Sequence, residues 1–126
     1  MVALTRCAGL NRPKSAILTG DFNIAPLDTD VYDLSMFETH VSEPERQAFE
    51  AFEQIGLTDT VRELVPGQYT YWDYKDLCFP KNNGMRIDFC LTSDALTERV
   101  TSATIERDER KGEAPSDHVP VVVDIN

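Results

Sequence analysis

Residues 15–26 read SAILTGDFNIAP, an apolar run that is ended by a glycine and followed by a carboxylate and a carboxamide. The run over residues 15–19 is typical of a short buried strand, and Gly20 closes it so that residues 21–26 form a loop at the sheet edge. In extended backbone Asp21 and Asn23 share one face. A carboxylate there can orient or deprotonate water and an amide can donate to a phosphate oxygen, although an ordinary Asp/Asn turn explains the same residues.

The rest of the sequence predicts an α+β fold. Ser42 and Glu45 form a capping box, and apolar residues follow at helical spacing until Gly56, which predicts a helix over residues 43–54. We also predict helical turns at residues 59–64 and 94–99, and strands at residues 69–72, 86–92, 101–107 and 119–125. This order favours a mostly antiparallel sheet with helices on one face. Residues 119–123 are apolar at nearly every position, which predicts a sheet covered on both sides, one cover coming from outside this chain.

Length, charge and cysteine content limit the possible functions. The 126 residues fit one domain, and a net charge of −10 is the wrong sign for a protein that binds nucleic acid through a basic face. The 3 cysteines form no C-x-x-C pair, which indicates reduced thiols rather than disulfides or a zinc site. No apolar run approaches a membrane span or a signal peptide, so we expect a cytoplasmic protein without membrane contacts.

Three further motifs carry polar or aromatic groups. Ser116, Asp117 and His118 precede the last predicted strand, where Asp117 can ligate a hard cation and His118 can bind a phosphate, or where an Asx turn simply leaves the histidine exposed. Asp88 lies between apolar residues, so it needs a partner such as Arg86 or a histidine. Residues 69–74 read YTYWDY, which fits a stacking surface for bases or sugars and equally the apolar face of a strand.

Taken in order, GDFNIAP, YTYWDYK, GMRIDF and PSDHVPVVVDI resemble the exonuclease III branch of the endonuclease/exonuclease/phosphatase superfamily. The resemblance implies a deoxyribonuclease I-like, four-layered αββα sandwich made of two similar halves. In that scheme residues 1–14 are the tail of a preceding helix or linker, and residues 15–126 are the C-terminal half of the domain. The N-terminal half, which carries a metal-binding glutamate in the family, is expected to be missing, and the uncovered sheet could then self-associate.

The resemblance also implies an activity and a set of residue roles. The activity is hydrolysis of DNA phosphodiesters, as a 3′-to-5′ exonuclease and abasic-site endonuclease in base-excision repair, with Mg²⁺ or Mn²⁺ as cofactor and double-stranded DNA with abasic or 3′ ends as partner. The catalytic residues would be Asp21, Asn23, Asp88 and His118, the metal ligands Asp117, Asp21 and Asn23, and the substrate-binding residues Tyr71, Trp72, Met85 and Arg86. Two alternatives stay open. One is a phosphatase or phosphodiesterase acting on a non-DNA substrate, and the other is a catalytically inactive half-domain that only binds a partner.

Overall fold

The computed structural model describes residues 14–126, so the tail predicted at residues 1–14 lies outside the described residues except for Lys14. The strands are β1 (Ile17–Asp21), β2 (Leu57–Asp59), β3 (Asp88–Ser93), β4 (Val100–Ile105) and β5 (Val121–Ile125). The α-helices are α1 (Glu43–Gln54), α2 (Thr60–Leu64), α3 (Cys78–Lys81) and α4 (Asp94–Thr97), and 3₁₀ turns occupy Asp28–Asp30, Leu34–Met36 and Arg107–Lys111.

The strands form two antiparallel sheets. The first has the order β1-β3-β2, with β3 in the centre, and the second pairs β4 with β5. The first sheet places Asp21, the last residue of β1, opposite Asp88, the first residue of β3. Antiparallel sheets combined with helices confirm the α+β expectation.

The core lies beneath α1 and between the two sheets. The cap of α1 is the predicted one, because the Ser42 side chain accepts from the Glu45 N–H while the Glu45 carboxylate accepts from the Ser42 N–H. Buried Phe49 and Phe52 project from α1 onto Phe22 and Phe89, where the Phe49 and Phe89 rings meet edge to face at 4.8 Å. Burial of these aromatic side chains is a large stabilising term and anchors the strand end that carries Asp21.

Several predicted elements differ from the structure. The strand expected at residues 69–72 is wrong, because Tyr71 makes only single bridges to Met85 and His118. The strand β2 was not predicted, since three residues are too few for a periodic signal. The helix α3 and the 3₁₀ turn Arg107–Lys111 were also not predicted, because both are too short for capping and periodicity to reveal.

The apolar run over residues 119–123 shows where the sheet is covered. Val119 is buried and Val121 and Val123 are half-buried in the core, whereas Val122 between them is 41% exposed. Only one face of β5 is therefore covered by the described residues.

Cys78 and Cys90 are buried free thiols, as expected, and Cys7 lies outside the described residues. Between residues 14 and 126, no helix has the length and apolar character needed to cross a bilayer.

Candidate functional site

The ends of β1 and β3 bring two carboxylates together. Asp21 and Asp88 are direct partners in the antiparallel register, and directly opposed residues project their side chains from the same face of a sheet. Such proximity of like charges is unfavourable unless a cation or a hydrogen-bond donor lies between them. The strand pairing thus creates the need for a third, positively charged group.

His118 supplies that group. Its Nδ1 lies 2.9 Å from Asp88 Oδ2 and 3.1 Å from Oδ1, so the imidazole N–H donates to this carboxylate. Its Nε2 lies 3.7 Å from Asp21 Oδ2. Asp21, Asp88 and His118 each offer one ligand atom within 4.8 Å of the others, which makes them a group able to hold a metal ion. The structure therefore joins residues from β1, β3 and the loop before β5.

The pKa values of the pair follow from its surroundings. Burial is the largest influence on His118 and lowers its pKa, but the hydrogen bond and charge of Asp88, followed by the charges of Asp21 and Asp117, raise it above the ordinary value of 6.5. Burial raises the pKa of Asp88, against the lowering effect of its hydrogen bonds with Thr70 and His118. A proton held on His118 is thus stabilised by carboxylates on both sides of the ring.

Asn23 is attached to Asp21 by a turn. The Asn23 N–H donates to Asp21 Oδ1 at 2.9 Å, and Asn23 has a φ of 52°. The ordinary Asp/Asn turn, which was the alternative explanation of this motif, is therefore present. Because Asp21 and Asn23 are both exposed, the same turn leaves their side chains open to a ligand.

Asp117 takes part in the site through its backbone and its charge. Its backbone carbonyl accepts from the Trp72 N–H at 3.0 Å, and its charge acts on the pKa of His118. Its carboxylate does not belong to the metal-capable group found within residues 14–126.

Two of the four residues expected to bind substrate line one cavity. A cavity of about 250 Å³ is bordered by Tyr71 and Met85 together with Tyr32, Phe37 and His40. The Tyr71 ring lies 5.0 Å from the His118 ring, centroid to centroid. This cavity therefore opens beside the Asp–His group.

The other two residues do not reach that cavity. Trp72 is 1% exposed, and its indole N–H donates to Asn82 Oδ1 at 3.1 Å. Arg86 is also buried, and its two terminal nitrogens donate to Asp59 at 2.6 and 2.8 Å. The expectation that Trp72 and Arg86 bind substrate is corrected here, because Trp72 is buried with its indole N–H bonded internally and both terminal nitrogens of Arg86 are bound to Asp59.

Sequence reasoning missed two residues that hold the site. The hydroxyl of fully buried Thr70 accepts from the N–H groups of Ile87 and Asp88 at 3.1 and 3.2 Å. His40 Nδ1 lies 2.7 Å from the Asn23 carbonyl oxygen. Thr70 lies within the aromatic motif, yet its role depends on a pairing that only the fold creates, and no local pattern marked His40.

Comparison with known proteins agrees with this geometry. Residues 2–118 match the model of the endonuclease/exonuclease/phosphatase family. An exodeoxyribonuclease of Bacillus subtilis is 34% identical over 122 residues, covering 93% of this chain and 47% of that protein. Exodeoxyribonuclease III of Haemophilus influenzae is 33% identical, covering 83% of this chain and 43% of the relative.

Solved structures show the same relationship. A 3′ phosphatase from Neisseria bound to a product DNA hairpin superposes with a TM-score of 0.84 and 37% identity, covering 91% of this chain and 46% of the other. An AP endonuclease from Archaeoglobus fulgidus gives a TM-score of 0.81 and 31% identity, with 89% and 46% covered. The chain thus spans about half the length of the relatives it matches.

Proposed function

Because the chain belongs to the endonuclease/exonuclease/phosphatase family, we propose that it hydrolyses DNA phosphodiesters as an exonuclease III-type repair nuclease acting at abasic sites and 3′ ends. The observation that carries the proposal is the group formed by Asp21, His118 and Asp88 beside a cavity lined by Tyr71 and Met85. The names of the relatives, exodeoxyribonucleases and an AP endonuclease, support DNA as the substrate class.

Each polar residue has a role that its geometry allows. Asp21 is exposed and accepts a water proton or orients the water, which is general-base chemistry. Protonated His118 donates from Nε2 to a phosphate oxygen and stabilises the negative charge that develops there. Asp88 holds the ring through Nδ1 and keeps it charged. Asn23 contacts the phosphate through its exposed side-chain amide.

A divalent cation fits the oxygen-rich side of this group. Asp88 is occupied by His118, so the oxygen atoms of Asp21, Asn23 and Asp117 would hold Mg²⁺ or Mn²⁺, both of which prefer oxygen ligands. The metal, when bound, supplies positive charge that offsets the phosphate charge and acidifies water. Since three protein ligands leave a hard cation short of its coordination number, further ligands would come from substrate, water or additional protein.

The domain assignment belongs to the same proposal. Residues 15–126 form the C-terminal half of a four-layered sandwich, and a complementary N-terminal half covers the exposed side of β5 and completes the site. The protein works on cytoplasmic DNA. The charge of −10 opposes DNA binding by this chain alone, which keeps open the alternative that the half-domain binds a partner without catalysis.

A second candidate function is supported by one observation. The Neisseria structure is named as a 3′ phosphatase, and a terminal phosphate presents the same oxygens to His118 and Asn23 as a phosphodiester does. Removal of a 3′ phosphate from DNA is therefore the alternative to cleavage within the strand. Phosphatase action on a non-DNA substrate has no comparable observation in its favour.

The test is a cleavage assay with the purified chain. Duplexes with an abasic-site analogue, a plain 3′ end or a 3′ phosphate are incubated with Mg²⁺, with Mn²⁺ or with EDTA. Asp21→Asn and His118→Ala are each expected to slow cleavage by about 10²- to 10⁴-fold, the usual contribution of a positioned acid or base. Asp108→Asn is the matched control, because Asp108 is an exposed carboxylate whose ion-pair partner is Lys111.

The outcomes separate the candidates. Metal-dependent cleavage at the abasic site or 3′ end, lost in both variants and kept in the control, supports the nuclease. Release of inorganic phosphate alone supports the phosphatase. No turnover of any substrate by a chain whose circular dichroism shows it folded contradicts catalysis by this chain and favours the partner-binding alternative.

A further inference from the structure

The backbone of Asn23 is held from outside its own loop. Its φ of 52° lies in the left-handed region, which asparagine adopts more readily than most residues. Its N–H is bound to Asp21, while its carbonyl oxygen is bound by a residue 17 positions away. The direction of the Asn23 side chain therefore depends on that distant contact as well as on the turn.

The distant residue is His40. Its Nδ1 lies 2.7 Å from the Asn23 carbonyl oxygen, and because a carbonyl can only accept, Nδ1 must carry the proton and donate it. In return the Ala25 N–H donates to the His40 carbonyl at 2.8 Å. His40 itself has a φ of 69°. Two hydrogen bonds in opposite directions thus connect the segments around residues 23–25 and 40.

The helix α1 anchors this connection. Its N-cap, Ser42, follows His40 by two residues, so the capping box fixes the chain just after the histidine. From the first turns of α1, Arg46 donates through Nε to the Ala25 carbonyl at 3.1 Å and through Nη1 to Asp28 at 2.7 Å. The loop after β1 is therefore clamped to a well-formed helix start on both sides of Ala25.

We propose that His40 is a positioning residue for Asn23, one whose Nδ1–H fixes the asparagine backbone so that its amide faces the reacting phosphate. The ring also borders the cavity lined by Tyr71 and Met85, so it lies between the substrate cavity and the loop it holds. The inference rests on the proposed function for the role of Asn23, whereas the contact itself can be tested without catalysis.

The first experiment compares ¹⁵N-labelled His40→Ala, His40→Asn and Thr39→Ala by NMR. An asparagine amide places a donor near the position of Nδ1, so it should restore the hydrogen bond. In His40→Ala we expect the Asn23 side-chain NH₂ signals to shift and its backbone N–H to exchange faster, with recovery in His40→Asn and no change in Thr39→Ala. The amides of β4 and β5 should stay unchanged in all three variants.

A second measurement needs no variant. At alkaline pH the long-range ¹H–¹⁵N couplings of the His40 ring should identify Nδ1 as the protonated nitrogen. Protonation on Nε2 would overturn the inference, as would unchanged Asn23 signals in His40→Ala. This measurement decides the question even when His40→Ala does not fold.

The third measurement is kinetic and distinguishes the two proposals. With the abasic duplex, His40→Ala should lower kcat about tenfold, a modest loss for a displaced contact group, and His40→Asn should recover it. A chain that never cleaves DNA would contradict catalysis by this chain, while the NMR results would still decide the His40 contact. A cleaving chain whose kcat is unchanged in His40→Ala would overturn the positioning role alone.

Discussion

At the scale of single residues, the pair formed by His118 and Asp88 controls the charge of the site. The ring is half-buried, and burial alone would make it neutral near physiological pH. The hydrogen bond and charge of Asp88 reverse that effect and raise the pKa of His118. The protonated state of His118 is therefore favoured by its pairing with Asp88 and not by the histidine's own burial.

We predict that Asp88→Asn lowers the pKa of His118, measured by NMR titration in EDTA. Asp117→Asn should lower it less, because Asp117 contributes the smallest of the raising effects. The control Asp124→Asn, an exposed carboxylate on β5, should leave it unchanged. Equal effects of all three substitutions would show that the pKa of His118 responds to the total negative charge of the protein rather than to its pairing with Asp88.

The same shift sets the sign of a pH effect on stability. Because the pKa of His118 is raised on folding, the protonated ring stabilises the fold fully below its unfolded pKa of about 6.5, and this contribution is lost as pH rises through the folded value. Urea unfolding should therefore show a smaller stability difference between the unaltered chain and His118→Gln at alkaline pH than at pH below about 6. A difference that grows with pH would contradict the assigned charge.

At the scale of elements, one ion pair connects β2 to the chain just before β3, and another connects α2 to the first 3₁₀ turn. The carboxylate of Asp59 accepts from both terminal nitrogens of Arg86, and Asp30 accepts from both terminal nitrogens of Arg62. The side chains of Arg86 and Asp59 are 4% and 6% exposed. This pairing explains why Arg86 is unavailable to substrate, the role that the family resemblance implied for it.

We predict that Asp59→Asn destabilises the protein by about 3–5 kcal/mol, because it leaves the Arg86 charge buried without its counter-ion. Asparagine can still cap α2, whose Arg62 N–H donates to the Asp59 side chain. The matched change Asp28→Asn breaks the exposed pair with Arg46 and should cost below about 1 kcal/mol. Urea denaturation measures both, and similar costs would contradict the buried-pair account.

Close packing, rather than a need for positive φ, explains why residue 84 is a glycine. Gly84 precedes Arg86 in the GMRIDF motif but is not among the residues with positive φ. A Cβ at this position would lie 2.6 Å from the Trp72 indole nitrogen and 2.8 Å from Tyr69. The glycine is needed because two aromatic side chains cover it.

At the scale of the whole molecule, the apolar residues left uncovered on the strands are the main structural feature to explain. Ile17 on β1 is 47% exposed and Val122 on β5 is 41% exposed. The chain spans about half the length of the relatives it matches, and in the proposed sandwich the complementary half covers such residues.

We predict that two copies of the chain associate through Ile17 and Val122, so that sedimentation velocity shows concentration-dependent self-association. The double variant Ile17→Lys/Val122→Lys should weaken it, because charged side chains resist burial. The control Leu34→Lys/Leu64→Lys adds the same charge at leucines of similar exposure, 41% and 49%. A chain that stays monomeric at every concentration would contradict this prediction. Equal weakening of self-association by the two double variants would show that Ile17 and Val122 are not the contact surface.

The sequence by itself predicted the α+β class and the bounds of α1, and its motifs marked Asp21, Asp88 and His118, which the fold brings together, because capping, periodicity and short motifs are local properties of the chain. Only the tertiary structure decided which partners these residues have. Asp59 takes Arg86 across 27 positions, His40 takes Asn23 across 17, and Trp72 is buried against the chain around Gly84. Such contacts depend on strand register and on which faces pack together, and no local sequence pattern carries that information.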